Sequence, residues 1–297
     1  MSDMHWGQHL SRAVAALVRL LPVGREHAFR AYDGVAKAVL GRAIATTNFG
    51  MKIDCDLNDY IPNRIFHFGH WEPDVGSQIR RILKDGDVFV DVGANVGYDS
   101  LLASGIVGRV GSVIAIEASP RNFEILSNNV RLNGLDNVRL VNMAVSDREG
   151  TIDLFGGPAH NKGRSTLLPS RGLSVEARVR SAPLDKILSG DELARVRLIK
   201  MDIEGAELPV LENILSQIHK YPSTLDLIIE VSPTEDRNRW GILFDRLKAL
   251  GYHAYTIENV YTNRYYLNWR RPAPLRMITD LPDMQQDVLF TRDSLDL

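Results

Sequence analysis

The stretch Asp91-Val92-Gly93-Ala94-Asn95-Val96-Gly97 constrains this chain more than any other. It follows the β-rich run Val88-Phe89-Val90 and opens a helix. Two glycines in G-x-x-x-G spacing mark a backbone that turns sharply and lets a ligand approach the main chain. Glu117 stands at the end of the next β-rich run, Val113-Ile114-Ala115-Ile116, 20 residues past Gly97. An acid in that place can accept hydrogen bonds from both hydroxyls of a ribose. Loop, strand, helix and strand-end acid together predict a nucleoside-cofactor site on an open α/β sheet.

The charge of the loop bears on which cofactor. A dinucleotide fingerprint reads G-x-G-x-x-G and rests a pyrophosphate on a helix N-terminus. Here Asn95 replaces the middle glycine and Asp91 leads the loop. A carboxylate facing a pyrophosphate is repelled by it, whereas one facing an ammonium or a sulfonium is attracted. The sequence therefore favours S-adenosylmethionine over NAD.

The rest of the chain fits a doubly covered sheet. Strand-like runs at 138–145, 198–201, 225–231, 252–257 and 287–291 alternate with helical stripes, among them Phe123, Leu126 and Val130 behind a Ser119-Pro120 start. Continuous apolar strands joined by helices indicate a mostly parallel sheet with both faces covered. Residues 150–185 hold short β-like pieces and a loop too long for a simple crossover. Ahead of this, residues 1–50 read as a helical extension and 51–76 as a short β/turn lead-in, leaving 77–297 as the main domain. In the extension, Leu10, Ala13, Val14, Leu17 and Leu21 form one stripe, and Phe29, Tyr32, Ala36, Val39 and Leu40 a second, ended by Gly41. Two readings are open: a docking element over the main domain or a second subunit, giving a homo-oligomer, or an Arg-bearing helix on a membrane surface.

Composition narrows the classes. With 297 residues, 44% hydrophobic and 24% charged, the chain is neither disordered nor fibrous. Its net charge is −2 and its longest Lys/Arg runs are Arg80-Arg81 and Arg270-Arg271, so no basic stripe marks a nucleic-acid binder. The single cysteine, Cys55, allows no intrachain disulfide or cysteine metal cluster and reads as inert packing in a reducing, cytoplasmic setting. No stretch approaches the about 20 apolar residues of a transmembrane helix. Arg12 and Arg19 bracket residues 13–18 too tightly for a secretory core.

The segment Asp87-Val88-Phe89-Val90-Asp91-Val92-Gly93-Ala94-Asn95-Val96-Gly97, with Lys200-Met201-Asp202-Ile203-Glu204-Gly205-Ala206-Glu207, resembles the FkbM family of S-adenosylmethionine-dependent methyltransferases. Ile116-Glu117-Ala118-Ser119-Pro120, Asn133-Gly134-Leu135-Asp136-Asn137-Val138 and Ile229-Glu230-Val231 extend the likeness over roughly residues 68–292. The resemblance implies a Rossmann-like class I methyltransferase fold, a seven-stranded mostly parallel sheet with an antiparallel last strand at 287–291. It implies that Asp91, Gly93, Asn95 and Gly97 hold the methionine part of the cofactor. Glu117, beside Ala118, would hold the ribose, and the backbone near Ala144 and Val145 would meet the adenine. Glu72, in Trp71-Glu72-Pro73, is placed near the cofactor. Ser232 departs from relatives that often carry histidine after the Glu-Val pair.

Methyl transfer to the hydroxyl of a sugar, glycolipid or polyketide-type metabolite, the acceptor class implied by the resemblance, calls for in-line alignment. It also calls for a base or a metal to take or acidify the proton. Asp202 and Glu204, expected to point the same way from the end of one strand, and Glu230 at the end of the next, are the candidates. One of them could act as base, or the three together could bind Mg²⁺ through oxygen ligands. His70, His160 and His253 are weaker candidates. Around His160, Lys162 and Arg164 could meet an anionic or sugar acceptor, and Tyr261, Tyr265, Tyr266 and Trp269 could stack on a sugar or form a dimer surface. Two rival functions stand beside this one: an NAD(P)-dependent oxidoreductase on a similar sheet, and a cofactor-binding scaffold without turnover.

Overall fold

The computed structural model describes residues 5–21, 24–156, 174–234 and 236–295. The chain begins with α1 (His5–Leu20) and α2 (Arg25–Leu40), the second ended by Gly41 at φ 59°. A hairpin of β1 (Arg42–Thr46) and β2 (Lys52–Asp56) follows, straddling the boundary drawn at residue 50. Then come α3 (Tyr60–Phe68), whose N-cap Asp59 accepts from the Tyr60 amide, and α4 (Pro73–Ile82). The second helix buries Phe29 and Ala36 of its stripe, the Phe29 ring stacking on Phe68 at 5.1 Å. The stripe expected on the first helix does not face inward: Leu10, Ala13, Leu17 and Leu21 are exposed and Val14 is half-buried, while Gln8, Ser11 and Val18 are buried instead. The docking reading of these helices therefore has a surface to rest on inside the protomer, although Leu10, Leu17, Val35 and Val39 stay exposed.

The core runs β3 (Val88–Val92), α5 (Tyr98–Val107), β4 (Ser112–Ile116), α6 (Pro120–Leu132) and β5 (Val138–Val141). Helix α6 starts as its sequence requires, with the Ser119 hydroxyl accepting from the Asn122 amide and Pro120 at the first helical position. The expected strand 138–145 is split. Its first half joins the main sheet, and at Asn142 the chain turns away, the Asn142 amide donating to the Glu117 carbonyl at 2.8 Å. Its second half, β6 (Ala144–Val145), forms a separate sheet with β7 (Gly150–Phe155) and β8 (Val175–Ala182), in the order β6-β8-β7.

After the short helices α7 (Leu184–Ile187) and α8 (Gly190–Arg195) come β9 (Val196–Met201), α9 (Glu207–Ser216), β10 (Asp226–Val231), α10 (Arg237–Ala249) and β11 (His253–Ile257). The excursion that follows holds α11 (Asn263–Asn268) and β12 (Arg276–Ile278) before the last strand, β13 (Gln286–Thr291). The main sheet has the order β12-β11-β13-β10-β9-β3-β4-β5. Strands β5, β4, β3, β9 and β10 are parallel, and β13 is antiparallel to both neighbours, as expected of the last strand. The Rossmann-like sheet has eight strands rather than seven because β12, inside the excursion, adds itself antiparallel to β11.

Strands β3, β9 and β10 are buried almost throughout, which is why they read as continuous apolar runs. From β3 the chain winds outward to β5 on one side, then returns to β9 on the other. The carboxyl ends of β3 and β9 thus flank the switch point where open α/β sheets take their ligands.

Candidate active site

A cleft of about 710 Å³ opens at that switch point. Its floor is two loops locked together. Gly93 sits at φ 85°, and a Cβ built on it would clash with the Asp202 carbonyl oxygen and lie 3.0 Å from its carbon. The Asp202 amide in turn donates to the Val92 carbonyl at 3.0 Å. The glycine is thus required by the neighbouring loop, a reason the sequence did not disclose. Gly97, at φ 91°, starts α5 against α6, where a Cβ would come 2.5 Å from Leu126 Cδ1. Glu117 ties the same loop from the other side. One carboxylate oxygen accepts from the Asn95 amide and the other from the Ser119 amide, each at 2.8 Å. Burial pushes the Glu117 carboxyl up to about 7.

The cleft is rich in acids. Glu72, Asp99, Glu117 and Asp202 line it, as do Glu204, Glu230 and Asp287, against Lys200 as the only Lys or Arg lining it among the described residues. Lys200 interrupts the apolar strand β9 and is 5% exposed. Its ammonium lies 3.1 Å from Asp99, 3.6 Å from Asp202 and 4.0 Å from Glu72. Burial alone would lower its pKa, but Asp99, Asp202 and Glu72 outweigh that and hold it well above the ordinary lysine value. The same burial pushes the carboxyls the other way: Glu230 to about 10 and Asp287 to about 6, with Asp202 adding to both. Glu72 and Asp99 also rise, Lys200 working against the shift in each.

The far wall comes from the lead-in and the excursion. Trp71 stacks on Tyr261 at 5.4 Å, and Tyr60 meets Trp71 edge-on at 5.9 Å. The Tyr261 hydroxyl donates to Glu72 at 2.7 Å and accepts from the Asn259 amide at 2.9 Å. Asp74 pins the excursion in place, accepting from the Tyr265 hydroxyl, from Trp269 Nε1 at 3.1 Å and from the Ala273 amide at 2.6 Å. Of the tyrosine-rich segment, then, Tyr261 reaches the cleft, while Tyr265, Tyr266 and Trp269 are spent on internal packing. Among the described residues the non-glycine positions at positive φ are Glu72, Asn95 and Glu204, and all three line this cleft. Backbone strain of this kind gathers at functional sites.

The structure brings most of the expected site residues together. Glu72, Gly93, Asn95, Glu117, Ala118, Ala144, Val145, Asp202, Glu204 and Glu230 all line the cleft. Asp91 and Gly97 stand behind it. Asp91 is 1% exposed and pairs in register with Lys200 across β3 and β9. It accepts from the Ser100 hydroxyl at 2.6 Å, while its other oxygen has no hydrogen-bond partner among the described residues. Asp202 and Glu204 both line the cleft, but not by strand alternation, because β9 ends at Met201 and Glu204 sits in a turn at φ 57°. Glu207 joins these acids. Its carboxylate accepts from the Ile203 and Gly205 amides at 2.7 and 2.9 Å, and it, Asp202 and Glu230 each place an oxygen within 4.8 Å of the others.

Of the histidines, His70 is buried against Tyr266 and His253 is exposed on β11, and neither lines the cleft. His160, Lys162 and Arg164 lie outside the described residues. Cys55 is buried in β2, as expected of inert packing. No helix among the described residues is long and apolar enough to cross a membrane. Lys200, Asp99, Asp287 and Asn259 were not anticipated as site residues. For Lys200 a signal was present, since a lone charge inside an apolar central strand implies a buried partner.

The methyltransferase sdnD of Sordaria araneosa is 28% identical over 162 residues, 44% of this chain and 62% of that protein, so the chain spans about three-fifths of the curated relative it matches. Among solved structures the chain is similar to P. horikoshii TYW2 in complex with MeSAdo, with 15% identity and a TM-score of 0.43 over 85% of this chain and 72% of that one. It is also similar to an rRNA methylase from Streptococcus thermophilus, with 13% identity and a TM-score of 0.41 over 73% of this chain and 93% of that one. Residues 91–254, more than half of the sequence, match the methyltransferase FkbM domain, and the chain belongs to that family.

Proposed function

We propose that the chain is an S-adenosylmethionine-dependent O-methyltransferase acting on a hydroxyl of a sugar, glycolipid or polyketide-type metabolite, with residues 77–297 as the catalytic domain. The observation that carries this reading is the sign of the cleft: carboxylates on every side and Lys200 already engaged by three of them. Such a lining suits a cationic nucleoside and opposes a pyrophosphate, which disfavours a nicotinamide dinucleotide. The name of the relative sdnD, a methyltransferase, points the same way.

The residues fit the cofactor. Glu117 keeps lone pairs for ribose hydroxyls beyond the two amides it already accepts, and β6 offers main chain at Ala144 and Val145 for an adenine. The Gly93-Asn95 turn would hold the methionine part, with Asp91 behind it adding negative charge. When bound, S-adenosylmethionine supplies an electrophilic methyl group on a positive sulfur. The chain must hold the acceptor hydroxyl in line and take its proton as the oxygen attacks. Asp202, lining the cleft on the floor loop, is our base, with Glu204 and Glu230 on the same rim. Mg²⁺ held there is the other means of activating a hydroxyl.

Calorimetry with S-adenosylmethionine and with NADH separates this reading from an oxidoreductase: tight NADH binding without methyl-donor binding ends it. A non-catalytic scaffold predicts that Asp202→Ala leaves biological activity intact while Asp91→Ala abolishes cofactor binding. Mass spectrometry of extracts with and without the protein, seeking a gain of one methyl, identifies the acceptor.

A further inference from the structure

The acids around Glu230 pose a problem that the methyl donor does not solve. Asp202, Glu207 and Glu230 each place a carboxylate oxygen within 4.8 Å of the others. Lys200 lies 3.6 Å from Asp202, but it also serves Asp99 and Glu72. Glu207 offsets part of its charge by accepting from the Ile203 and Gly205 amides. Glu230 has no such relief: it is 8% exposed and its Oε2 has no hydrogen-bond partner among the described residues, while Asp287 faces it in register across β10 and β13. A buried carboxylate oxygen left without a donor, pointing into a group of like charges, is costly. A proton or a cation at that point removes the cost, and a cation does so while leaving all three acids ionised as ligands.

We propose that Asp202, Glu207 and Glu230 form a binding site for a hard divalent cation, Mg²⁺ or Mn²⁺, on the floor of the cleft. The donor set is all oxygen, which suits these ions and not zinc, whose structural sites use cysteine and histidine. Octahedral oxygens on a centre with bonds of about 2.0–2.1 Å are about 3–4 Å apart, so the three carboxylates need only a small inward shift. The site is pre-shaped: the Glu207 bonds to Ile203 and Gly205 fix the turn after β9, and Glu230 is held at the end of β10, in the same sheet. Three protein ligands leave three positions for water or an acceptor hydroxyl on the cleft side. There the ion makes the hydroxyl easier to deprotonate. This last role rests on the methyltransferase reading, whereas cation binding itself does not.

The test uses the full chain, stripped with a chelator and titrated with Mn²⁺ alone, following loss of the free-ion electron paramagnetic resonance signal. One saturable site is expected, displaced by excess Mg²⁺. Glu230→Gln, which keeps the shape and removes the charge, is expected to weaken Mn²⁺ at least about tenfold. The variant should hold or raise thermal stability in the absence of metal, so a lost site is not a lost fold. Glu207→Gln is the second variant, with S-adenosylmethionine binding as its control for an intact turn. No saturable Mn²⁺ binding by the wild type, or wild-type affinity in Glu230→Gln, overturns the site. If S-adenosylmethionine still binds in that case, the proposed activity stands and only the cation falls.

Discussion

Gly93 and Asp202 sit so close that no side chain fits between them. A Cβ on Gly93 would clash with the Asp202 carbonyl oxygen, and the amide of Asp202 is bonded to the residue just before Gly93. The turn after β3 and the turn after β9 are therefore packed against each other and hydrogen-bonded together. Gly93→Ala must bear a left-handed backbone at φ 85° and push the two turns apart. From the usual costs of αL strain and overpacking we expect a loss of about 2–5 kcal/mol, together with loss of S-adenosylmethionine binding. Thermal melting and calorimetry check this. A variant with native stability and native affinity would show that the loops are not coupled.

Lys200 is the electrostatic centre of the floor. Removing it leaves Asp99, Asp202 and Glu72 without their shared cation in a buried setting. Lys200→Met should destabilise by about 3–5 kcal/mol, the usual cost of orphaning one side of a buried ion pair. Adding Asp99→Asn to Lys200→Met should recover part of that loss, because Asp99 is the nearest carboxylate, at 3.1 Å. Urea denaturation of both variants measures it. Strict additivity of the two substitutions would contradict the coupling.

How much of this was legible beforehand depended on periodicity. Strands β3, β4, β9 and β10 and helix α6 follow from apolar runs, a Ser-Pro start and helical stripes, and these place Glu117 and Glu230 at strand ends. The failures came where one residue decides a change of path. At Asn142 a side-chain bond to the Glu117 carbonyl takes the chain out of the main sheet, and alternation within 138–145 carries no trace of it. At Glu204 the chain has already left the strand, so counting every second residue found Asp202 and Glu204 on the cleft but missed Glu207, which the turn brings beside Asp202 and Glu230. Tyr261 reaches the cleft through tertiary placement of the excursion and Asp287 through the antiparallel pairing of β13 with β10, neither of which local pattern encodes.

Glu117 sets stability against function. Its carboxyl is raised from 4.5 to about 7, chiefly by burial. The folded state therefore holds that proton more tightly than the unfolded chain does. Stability contributed by the protonated form is complete below about 4.5 and is lost as pH rises through about 7. The displacement corresponds to about 3 kcal/mol, so the stability of the cofactor-free Glu117→Gln variant relative to the wild type should rise by about that amount between pH 4 and pH 8. This rise comes on top of a pH-independent loss from the backbone amide that the Gln nitrogen cannot accept from. The same variant should weaken S-adenosylmethionine, since an amide offers fewer acceptor lone pairs to the ribose. Melting curves at the two pH values, with cofactor titrations at pH 8, test both halves. A stability difference between Glu117→Gln and the wild type that does not change between pH 4 and pH 8 would refute the assignment.

The N-terminal helices are held by a chain of polar groups whose charge state also sets a direction. Ser11 is hydrogen-bonded to His67 Nδ1 at 2.6 Å, and His67 Nε2 to Asp33 at 2.9 Å, joining α1, α3 and α2. Burial holds His67 below the ordinary histidine value, so the folded state prefers it neutral, and that preference costs stability once pH falls below about 6.5. Burial would raise Asp33, but its bonds to His67, Lys37 and Asn63 outweigh this and hold it below the carboxylate range. Its stabilisation is present above about 4 and is lost on further acidification. Both groups therefore loosen the extension in acid and neither does so in alkali. Limited proteolysis should cut within residues 5–40 faster at pH 5 than at pH 7.5, while the sheet stays protected. Asp33→Asn, which removes the carboxylate accepting from His67 and Asn63, should bring that cleavage to pH 7.5. Equal cleavage rates in the variant and the wild type at pH 7.5 would mean that apolar packing, around Phe29 and Phe68, holds the helices without this chain.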